Sequence, residues 1–358
     1  MNHLQAIRER LETRQLDALL LTHQANRFYA TGFMSSGTDG AALITRAKAF
    51  YFTDGRYTEA AGKRLSGLFD IGTVTGRRGY ETLINEAIEA EGLRRVGFED
   101  AYMTVAAYRK YKEKLRCELV PAADILTELR QVKDAGEIQA LTDAQRIAEK
   151  AFREILNDLR PGAVEREIAA KLQYLMLRYG AEDKSFDPIV VSGPNGSLPH
   201  GVPTDRAMKD GEFVTMDFGC VFRGYCSDMT RTVAIGHVTD EMRRIYDTVL
   251  AAQLTGIETA KAGVTGKAVD AAARDVIAAA GYGGYFAHSF GHGVGVEIHE
   301  YPNASALNEK PLPAGAVISA EPGIYIPGKL GVRIEDVIVI TETGRRNLME
   351  APKELLIL

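Results

Sequence analysis

The strongest constraint on how this chain can fold is that its second half repeats itself. Pro161-Gly162-Ala163-Val164 opens a helical pattern ending at Gly180, and Ala262-Gly263-Val264-Thr265 opens one ending at Gly281, an offset of 101 residues at both landmarks. Farther on, Gly211-Glu-Phe-Val-Thr-Met-Asp217-Phe-Gly219 aligns with Gly315-Ala-Val-Ile-Ser-Ala-Glu321-Pro-Gly323 at an offset of 104 residues. A near-constant offset across helix and strand together implies an internal duplication, with chance similarity between amphipathic segments as the alternative. Two like copies related by a pseudo-two-fold axis bring whatever side chains they share to one centre.

What they share is acid. In Met216–Thr232 the segments Phe213–Met216 and Met229–Ile235 are rich in β-formers, Gly219 and Gly224 bracket the link, and a turn near Phe222 and Arg223 brings Asp217 and Asp228 together. In the second copy Glu321 sits on one strand and Glu335 on the next, with Pro327-Gly328 as the turn between them. Adjacent like charges on a sheet repel, and one such hairpin alone reads equally well as a solvated acidic face. Four carboxylates converging on a cleft are another matter: they repel severely unless cations neutralise them. Two divalent metals carry the matching charge.

Between the hairpins runs Ala287–Glu300, which places His288, His292 and His299 within twelve residues in a chain that has seven histidines. Its glycines allow a phosphate loop, but Val294–His299 reads as a strand and not a helix. A purely structural histidine cluster is the remaining alternative, and it does not explain the coincidence with paired acidic hairpins. His200 follows Ser192–Pro199, a loop by composition, and loops on a rigid scaffold deliver catalytic groups; taken alone it reads as solvated. Arg333 stands two residues before Glu335, so strand alternation aims both at one face. It either pairs with a carboxylate or binds substrate. Four carboxylates and one histidine make a mostly hard ligand set that favours manganese, cobalt or zinc over copper or an iron-sulfur cluster. Two such ions about 3.5–4 Å apart bridge a water, lower its pKa and polarise a carbonyl, which is hydrolysis by activated water. The sequence has no G-x-S-x-G elbow that would point to a serine nucleophile.

Ahead of the repeat, Leu4, Ile7 and Leu11 recur at helical spacing and Asp17–Thr22 reads as a short buried strand. Further strands are expected at Ala41–Thr45, Ala49–Thr53, Asp70–Val74, Val96–Glu99 and Cys117–Val120, and helices at Tyr57–Leu65, Tyr80–Glu91 and Val105–Leu115. Strands alternating with helices make this an α/β domain. A connecting helix, Ala123–Arg130, leads to Asp134-Ala-Gly-Glu137, an acidic N-cap opening a helix to about Leu159. The expected domains are therefore 1–130 and 131–358, in keeping with a length of 358 residues. His3 and His23 are isolated and read as solvated.

A formal net charge of −5 and no local run of Lys and Arg argue against a nucleic-acid partner. The charged stretch Met1–Leu11 is unlike a signal-peptide core, and no apolar run approaches a membrane span of roughly 20 residues, so the expectation is a cytoplasmic protein with no membrane partner. Cys117, Cys220 and Cys226 suggest neither a disulfide framework nor a zinc-thiolate site, and read as buried or half-buried thiols.

Asp217…Asp228, His288-x-x-x-His292, His299, Glu321 and Arg333-Ile334-Glu335 resemble the motifs of the pita-bread metallopeptidases, in the branch of Xaa-Pro aminopeptidase (aminopeptidase P) and Xaa-Pro dipeptidase (prolidase). The similarity spans nearly the whole chain, because Leu16–Thr22, Asn26 and Tyr29–Phe33 resemble that branch's small first domain. The resemblance implies an α/β N-terminal domain followed by an α+β pita-bread catalytic domain with internal pseudo-two-fold duplication. It implies that Asp217 binds one metal, His292 and Glu321 bind the other, and Asp228 and Glu335 bridge both, with a bridging hydroxide attacking the carbonyl before proline. Manganese is the first expectation for the two divalent ions, with cobalt and zinc as alternatives. His200 and His299 match positions that orient substrate, stabilise the tetrahedral intermediate or move protons, and His288 and Arg333 match positions lining the proline pocket. The implied substrates are small peptides with proline at the second position, as dipeptides or at the N-terminus of longer chains, and the implied assembly is a homodimer in which the first domain caps a partner's site. Methionine aminopeptidase is the nearest rival, since His200-Gly201-Val202-Pro203 is similar to its motif, but the separate first domain and Arg333 disfavour it. Creatinase-like amidinohydrolases share the fold without metal and have lost the carboxylates that are all present here. A binding module that kept the fold and lost the chemistry is the third alternative.

Overall fold

The computed structural model describes residues 3–358; Met1 and Asn2 of the charged N-terminal stretch lie outside the described residues. The chain divides into two compact units, Met1–Arg130 and Gln131–Leu358.

The first unit runs α1 (His3–Thr13), β1 (Ala18–Leu21), α2 (Gln24–Thr31), β2 (Ala41–Thr45), β3 (Ala49–Asp54), α3 (Thr58–Arg64), β4 (Asp70–Val74), α4 (Tyr80–Glu91), β5 (Arg95–Phe98), α5 (Val105–Lys114), β6 (Glu118–Pro121) and α6 (Ala123–Gln131). Its sheet has the order β4-β3-β2-β1-β5-β6, with β2 antiparallel to both neighbours and the outer pairs parallel. Strands β1 and β2 are buried along their whole length, which is why they read as unbroken apolar runs and not as alternating ones. Leu20, Leu43, Phe52, Leu83, Ile84 and Val96 share one core. The two isolated histidines are not simply solvated. His3 stacks on Tyr29 with ring centroids 3.8 Å apart, and His23 stacks on Tyr102 at 4.0 Å. Both partners are remote in sequence, so neither stack was visible in a linear reading.

The second unit begins with α7 (Ala135–Ile155), capped by Asp134 and Glu137 in a reciprocal capping box, and a short 3-10 turn, Leu156–Asp158, finishes the run expected to reach Leu159 as one helix. There follow α8 (Glu165–Arg178), β7 (Asp183–Lys184), β8 (Ile189–Ser192), β9 (Glu212–Phe218), β10 (Cys220–Phe222), β11 (Tyr225–Cys226), β12 (Met229–Ile235) and α9 (Asp240–Thr259). The remainder is α10 (Gly266–Ala279), β13 (Gly291–Gly293), β14 (Glu300–Ala304), β15 (Val317–Ala320), β16 (Gly323–Ile326), β17 (Leu330–Arg333), β18 (Asp336–Ile340) and β19 (Arg345–Asn347). Each copy of the repeat supplies a helix pair and the strands it covers. Ala148 and Phe152 of α7 and Leu172 and Leu175 of α8 pack with Val214 and Met216 of β9 and Val233 of β12. In the second copy, Ile245 and Val249 of α9 and Val269 and Ile277 of α10 pack with Ile318 of β15 and Ile338 of β18. The duplication in sequence is thus a duplication of cores.

Two local expectations are corrected. Val294–His299 is not a strand but the bent connection between β13 and β14, which pair antiparallel. The Val294 N–H still donates to the Val317 carbonyl of β15, but beyond it the Gly295 N–H donates to the Glu297 carbonyl and the Glu297 N–H to the Glu300 carboxylate, so the rest of the segment closes on itself. Glu321 and Glu335 are not on strands either: Glu321 lies between β15 and β16, and Glu335 between β17 and β18. The turn at Pro327-Gly328 is where the sequence places it, closing the β16–β17 pair.

Candidate active site

In the first acidic hairpin, β9 and β12 pair in full register with Asp217 opposite Thr230, and Arg223 and Gly224, both at positive φ, close the inner turn between β10 and β11. Asp228 precedes β12, in the break after β11. His292 occupies the centre of β13, beside β15, so its ring reaches the breaks that hold Glu321 and Asp228. Its Nε2 lies 3.2 Å from Glu321 Oε1 and 3.5 Å from Asp228 Oδ2. One ligand atom each from Asp228, His292 and Glu335 fall within 4.8 Å of one another. Asp217 joins them through Arg333, whose Nη2 donates to its Oδ2 at 2.5 Å while Nε donates to Thr230 Oγ1 at 3.1 Å. The Thr230 hydroxyl donates in turn to Glu335 Oε2 at 2.7 Å. The five acidic and imidazole groups singled out from sequence therefore meet at one place, and Arg333 pairs with one of them.

The electrostatics follow from burial. Asp228 is pushed well above the usual carboxylate range by burial and then by Glu335 and Asp217, and Glu335 is pushed up by burial and then by Glu321 and Asp217. Asp217 is raised as well, burial outweighing its ion pair with Arg333. Burial alone would raise Glu321, but the hydrogen bond and charge of His292 carry it down to about 2. The His292 ring, lowered by burial, is returned to about 9 by Glu321. Two buried carboxylate oxygens, Asp217 Oδ1 and Glu335 Oε1, have no hydrogen-bond partner among the described residues, and an unmet buried acceptor costs on the order of 1–3 kcal/mol. Orphaned acceptors aimed into a cluster of hard oxygen donors with one imidazole are what a divalent cation satisfies, so the residues fit such ions.

Around the cluster is a cavity of about 790 Å³ whose wall includes His200, His288, His299, Arg333, Phe186 and Ile298. His200 is exposed, on the loop after the Gly193–Ser197 turn. His299 lies in the bent connection, its ring centroid 4.3 Å from that of His292, and its pKa is lowered by partial burial and by that neighbour. His288 Nε2 is 2.8 Å from the Tyr325 hydroxyl, and Nδ1 is 2.8 Å from the Ser289 carbonyl. Because Arg333 Nη1 donates to the Tyr325 oxygen at 2.8 Å, the phenol proton is left for His288 Nε2, and the ring carries its own proton on Nδ1. Burial lowers the His288 pKa and favours that neutral form.

The family models match in two blocks: the creatinase/prolidase N-terminal domain over residues 3–132 and metallopeptidase family M24 over residues 139–342. The chain belongs to metallopeptidase family M24. It is accordingly a peptide hydrolase, with the pita-bread catalytic domain that the duplicated cores build. It is 46% identical over 96% of its length to a Bacillus subtilis protein described as the uncharacterized peptidase YqhT, covering 96% of that protein. Among solved structures it is similar to an Xaa-Pro dipeptidase from Bacillus anthracis, with a TM-score of 0.94, 40% identity and 99% of both chains covered. It is also similar to an X-Pro aminopeptidase from Thermotoga maritima, with a TM-score of 0.91, 36% identity, and coverage of 98% of this chain and 100% of that one.

Several residues of this M24 site were not singled out from sequence. Tyr325 links His288 to Arg333, and its fully buried hydroxyl is pushed up to about 12 by burial. The available signal was a tyrosine in an otherwise apolar strand, since a buried phenol needs a partner. Thr230, which joins Arg333 to Glu335, sits inside the first acidic hairpin with no spacing that sets it apart from its neighbours. Asp270 and Arg274 on α10 hold the segment that carries His288: Arg274 donates to the Phe286 and His288 carbonyls, and Asp270 accepts the Phe290 N–H. That contact spans helix and loop, and no spacing rule signals it.

Proposed function

We propose that the chain hydrolyses the Xaa-Pro bond of dipeptides or of short peptides at their N-terminus, using two divalent cations. The observation that carries this reading is the likeness, over 99% of both chains, to the Bacillus anthracis Xaa-Pro dipeptidase. In this reading Asp217 holds one cation, His292 and Glu321 hold the other, and Asp228 and Glu335 are shared, with manganese as the native metal. Bound there, the cations supply Lewis acidity, polarising the scissile carbonyl and acidifying water for attack on it.

The side chains do the rest. Arg333 and Thr230 fix the rotamers of Asp217 and Glu335 through the hydrogen bonds described above, as supporting partners do in metal sites generally. His288 and Arg333, joined at Tyr325, form the wall against which the proline residue sits, and Phe186 and Ile298 give its ring an apolar surface. His200 and His299 orient the substrate and move the proton. That transfer matters because the leaving group is a secondary amine, which departs only when protonated. His299, with its lowered pKa, is neutral at pH 7 and able to accept a proton and return it.

Hydrolysis of Ala-Pro, Ala-Pro-Ala and Ala-Ala in manganese, with and without chelator, tests the proposal. The expected result is chelator-sensitive cleavage of the first two peptides and little of the third. Activity on neither proline peptide overturns the reading, and cleavage of Met-Ala-Ser or of creatine in their place would select the methionine aminopeptidase or amidinohydrolase alternative.

A further inference from the structure

We infer that Glu165, at the opening of α8, is the positioning residue that sets where His200 stands in the active-site cavity. The inference rests on His200 serving the substrate, as proposed above. His200 is exposed on the cavity wall, and its ring makes no hydrogen bond to any described residue. Its place is therefore set by the backbone that carries it, and between β8 and β9 that backbone belongs to no ladder apart from an isolated bridge at Ala207.

Glu165 supplies the missing anchor. It is fully buried, and five donor groups from the loop converge on its carboxylate. Oε1 accepts the Ser192 N–H at 2.7 Å and the Ser192 hydroxyl at 2.8 Å. Oε2 accepts the Thr204 N–H at 3.1 Å and the Thr204 hydroxyl at 2.7 Å. The Asn195 amide spans both oxygens, at 3.2 and 3.1 Å. One side chain thus ties together the two ends of the segment 192–204 and a residue within it, with His200 inside the closed span. A buried carboxylate is an expensive way to stabilise a fold. Gathered donors make it a rigid fixture, because its lone-pair directions fix several backbone groups at once.

The opposite side of the loop is held by the second copy of the repeat. Arg333 Nη1 donates to the Pro199 carbonyl at 3.1 Å, next to His200, and the Gly328 N–H donates to the Ser197 hydroxyl at 3.2 Å. Gly196 and Gly331 approach so closely that a Cβ on Gly331 would fall 1.8 Å from the Gly196 oxygen. The loop is therefore clamped between α8 and the β16–β17 pair, and the carboxylate of Glu165 is the α8 half of the clamp.

Glu165→Gln keeps the side-chain shape but turns one acceptor into a donor that faces loop donors. The expected result is a fall in kcat on Ala-Pro of about 10- to 100-fold, the scale of a misplacement near 1 Å, with KM and bound metal unchanged. In a His200→Ala background the same substitution should cause little further loss, because a residue acting through His200 has nothing left to place. An equal loss in both backgrounds, or no loss in the parent, overturns the inference. Thr204→Val, which removes one hydroxyl while keeping shape, gives the same cycle should Glu165→Gln not fold. If the parent cleaves no Xaa-Pro peptide, the functional reading fails separately, and the placement is read from the His200 ring resonance in a 13C-histidine NMR spectrum, assigned with His200→Ala. A resonance displaced or broadened by Glu165→Gln sustains the inference; an unchanged one overturns it.

Discussion

Asp228 and Glu335 carry the sharpest tension at the residue scale, because burial and mutual repulsion both oppose their ionised forms. Replacing Asp228 with Asn should abolish peptidase activity and lower metal stoichiometry while leaving the fold intact, and the metal-free variant should melt no lower than its parent at pH 8, since a repelling charge is gone. A fully active variant would refute a ligand role. Tyr325 makes a second case: its oxygen accepts a hydrogen bond from Arg333 and its hydroxyl faces His288, so Tyr325→Phe breaks the link between a wall residue and the group that holds Asp217. Supporting partners of metal ligands are typically worth 10- to 100-fold in activity, and a loss of about that size is expected in kcat/KM. Unchanged kinetics would show that the phenol only fills space. The acids and histidines were legible because ionisable groups in repeated or clustered positions stand out against an apolar background. Tyr325 and Thr230 were not, because a hydroxyl in a strand has no spacing that distinguishes a buried hydrogen bond from a solvated one.

Elements matter here through where they stop. Glu321 and Glu335 sit in breaks between strands, where the backbone leaves one sheet and a side chain can turn inward without competing for a ladder position. The β16–β17 pair between those breaks carries Arg333 and presses on the His200 loop through Gly331. Gly331→Ala would drive its methyl into the Gly196 carbonyl, and overpacking against backbone costs about 1–3 kcal/mol. A lower melting temperature together with reduced activity at full metal content is the expected outcome, read by calorimetry and metal analysis. Gly328→Ala is the control: its φ of 68° makes alanine strained, yet a Cβ there meets nothing within 4 Å, so stability should fall by about 1–2 kcal/mol, the cost of a left-handed conformation, with activity retained. If both variants behave alike, close approach is not what Gly331 provides. The helices and strands expected in the first unit lie within a residue or two of those observed, although α2 was not among them and α7 ends at Ile155, short of Leu159; Val294–His299 differs outright, because its alternating apolar pattern is that of a strand and only the internal bonds of the segment bend it.

Across the whole molecule, the site makes stability depend on pH in a definite direction. Asp228 and Glu335 have folded pKa values above their unfolded ones, so the folded metal-free chain holds protons that the unfolded chain releases once the pH passes about 4. Stability contributed by those protons is present below that point and is lost as pH rises through the raised folded values. His292, carried up to about 9, acts in the same direction: its contribution is complete below the ordinary histidine value and gone above 9. Glu321, held near 2, is stabilising above the usual carboxylate value and is lost only in acid, so it does not oppose the trend between pH 5 and 8. Cations displace the protons and remove the repulsion, so the gain in melting temperature on adding manganese should be larger at pH 8 than at pH 5. An equal or smaller gain at pH 8, in paired calorimetric scans with chelator and with metal, would contradict this. From sequence alone came the duplication, the α/β character of the first segment, and the clustered acids and histidines, because each leaves a one-dimensional trace in spacing, periodicity or charge. The tertiary structure alone decided that Arg333 pairs with Asp217, that Tyr325 ties His288 to Arg333, that Thr230 joins the two halves of the site, and that Glu165 grips the His200 loop. Those contacts join residues from about 30 to more than 100 positions apart, and such pairings are fixed by the packing of two cores against each other, which no local pattern encodes.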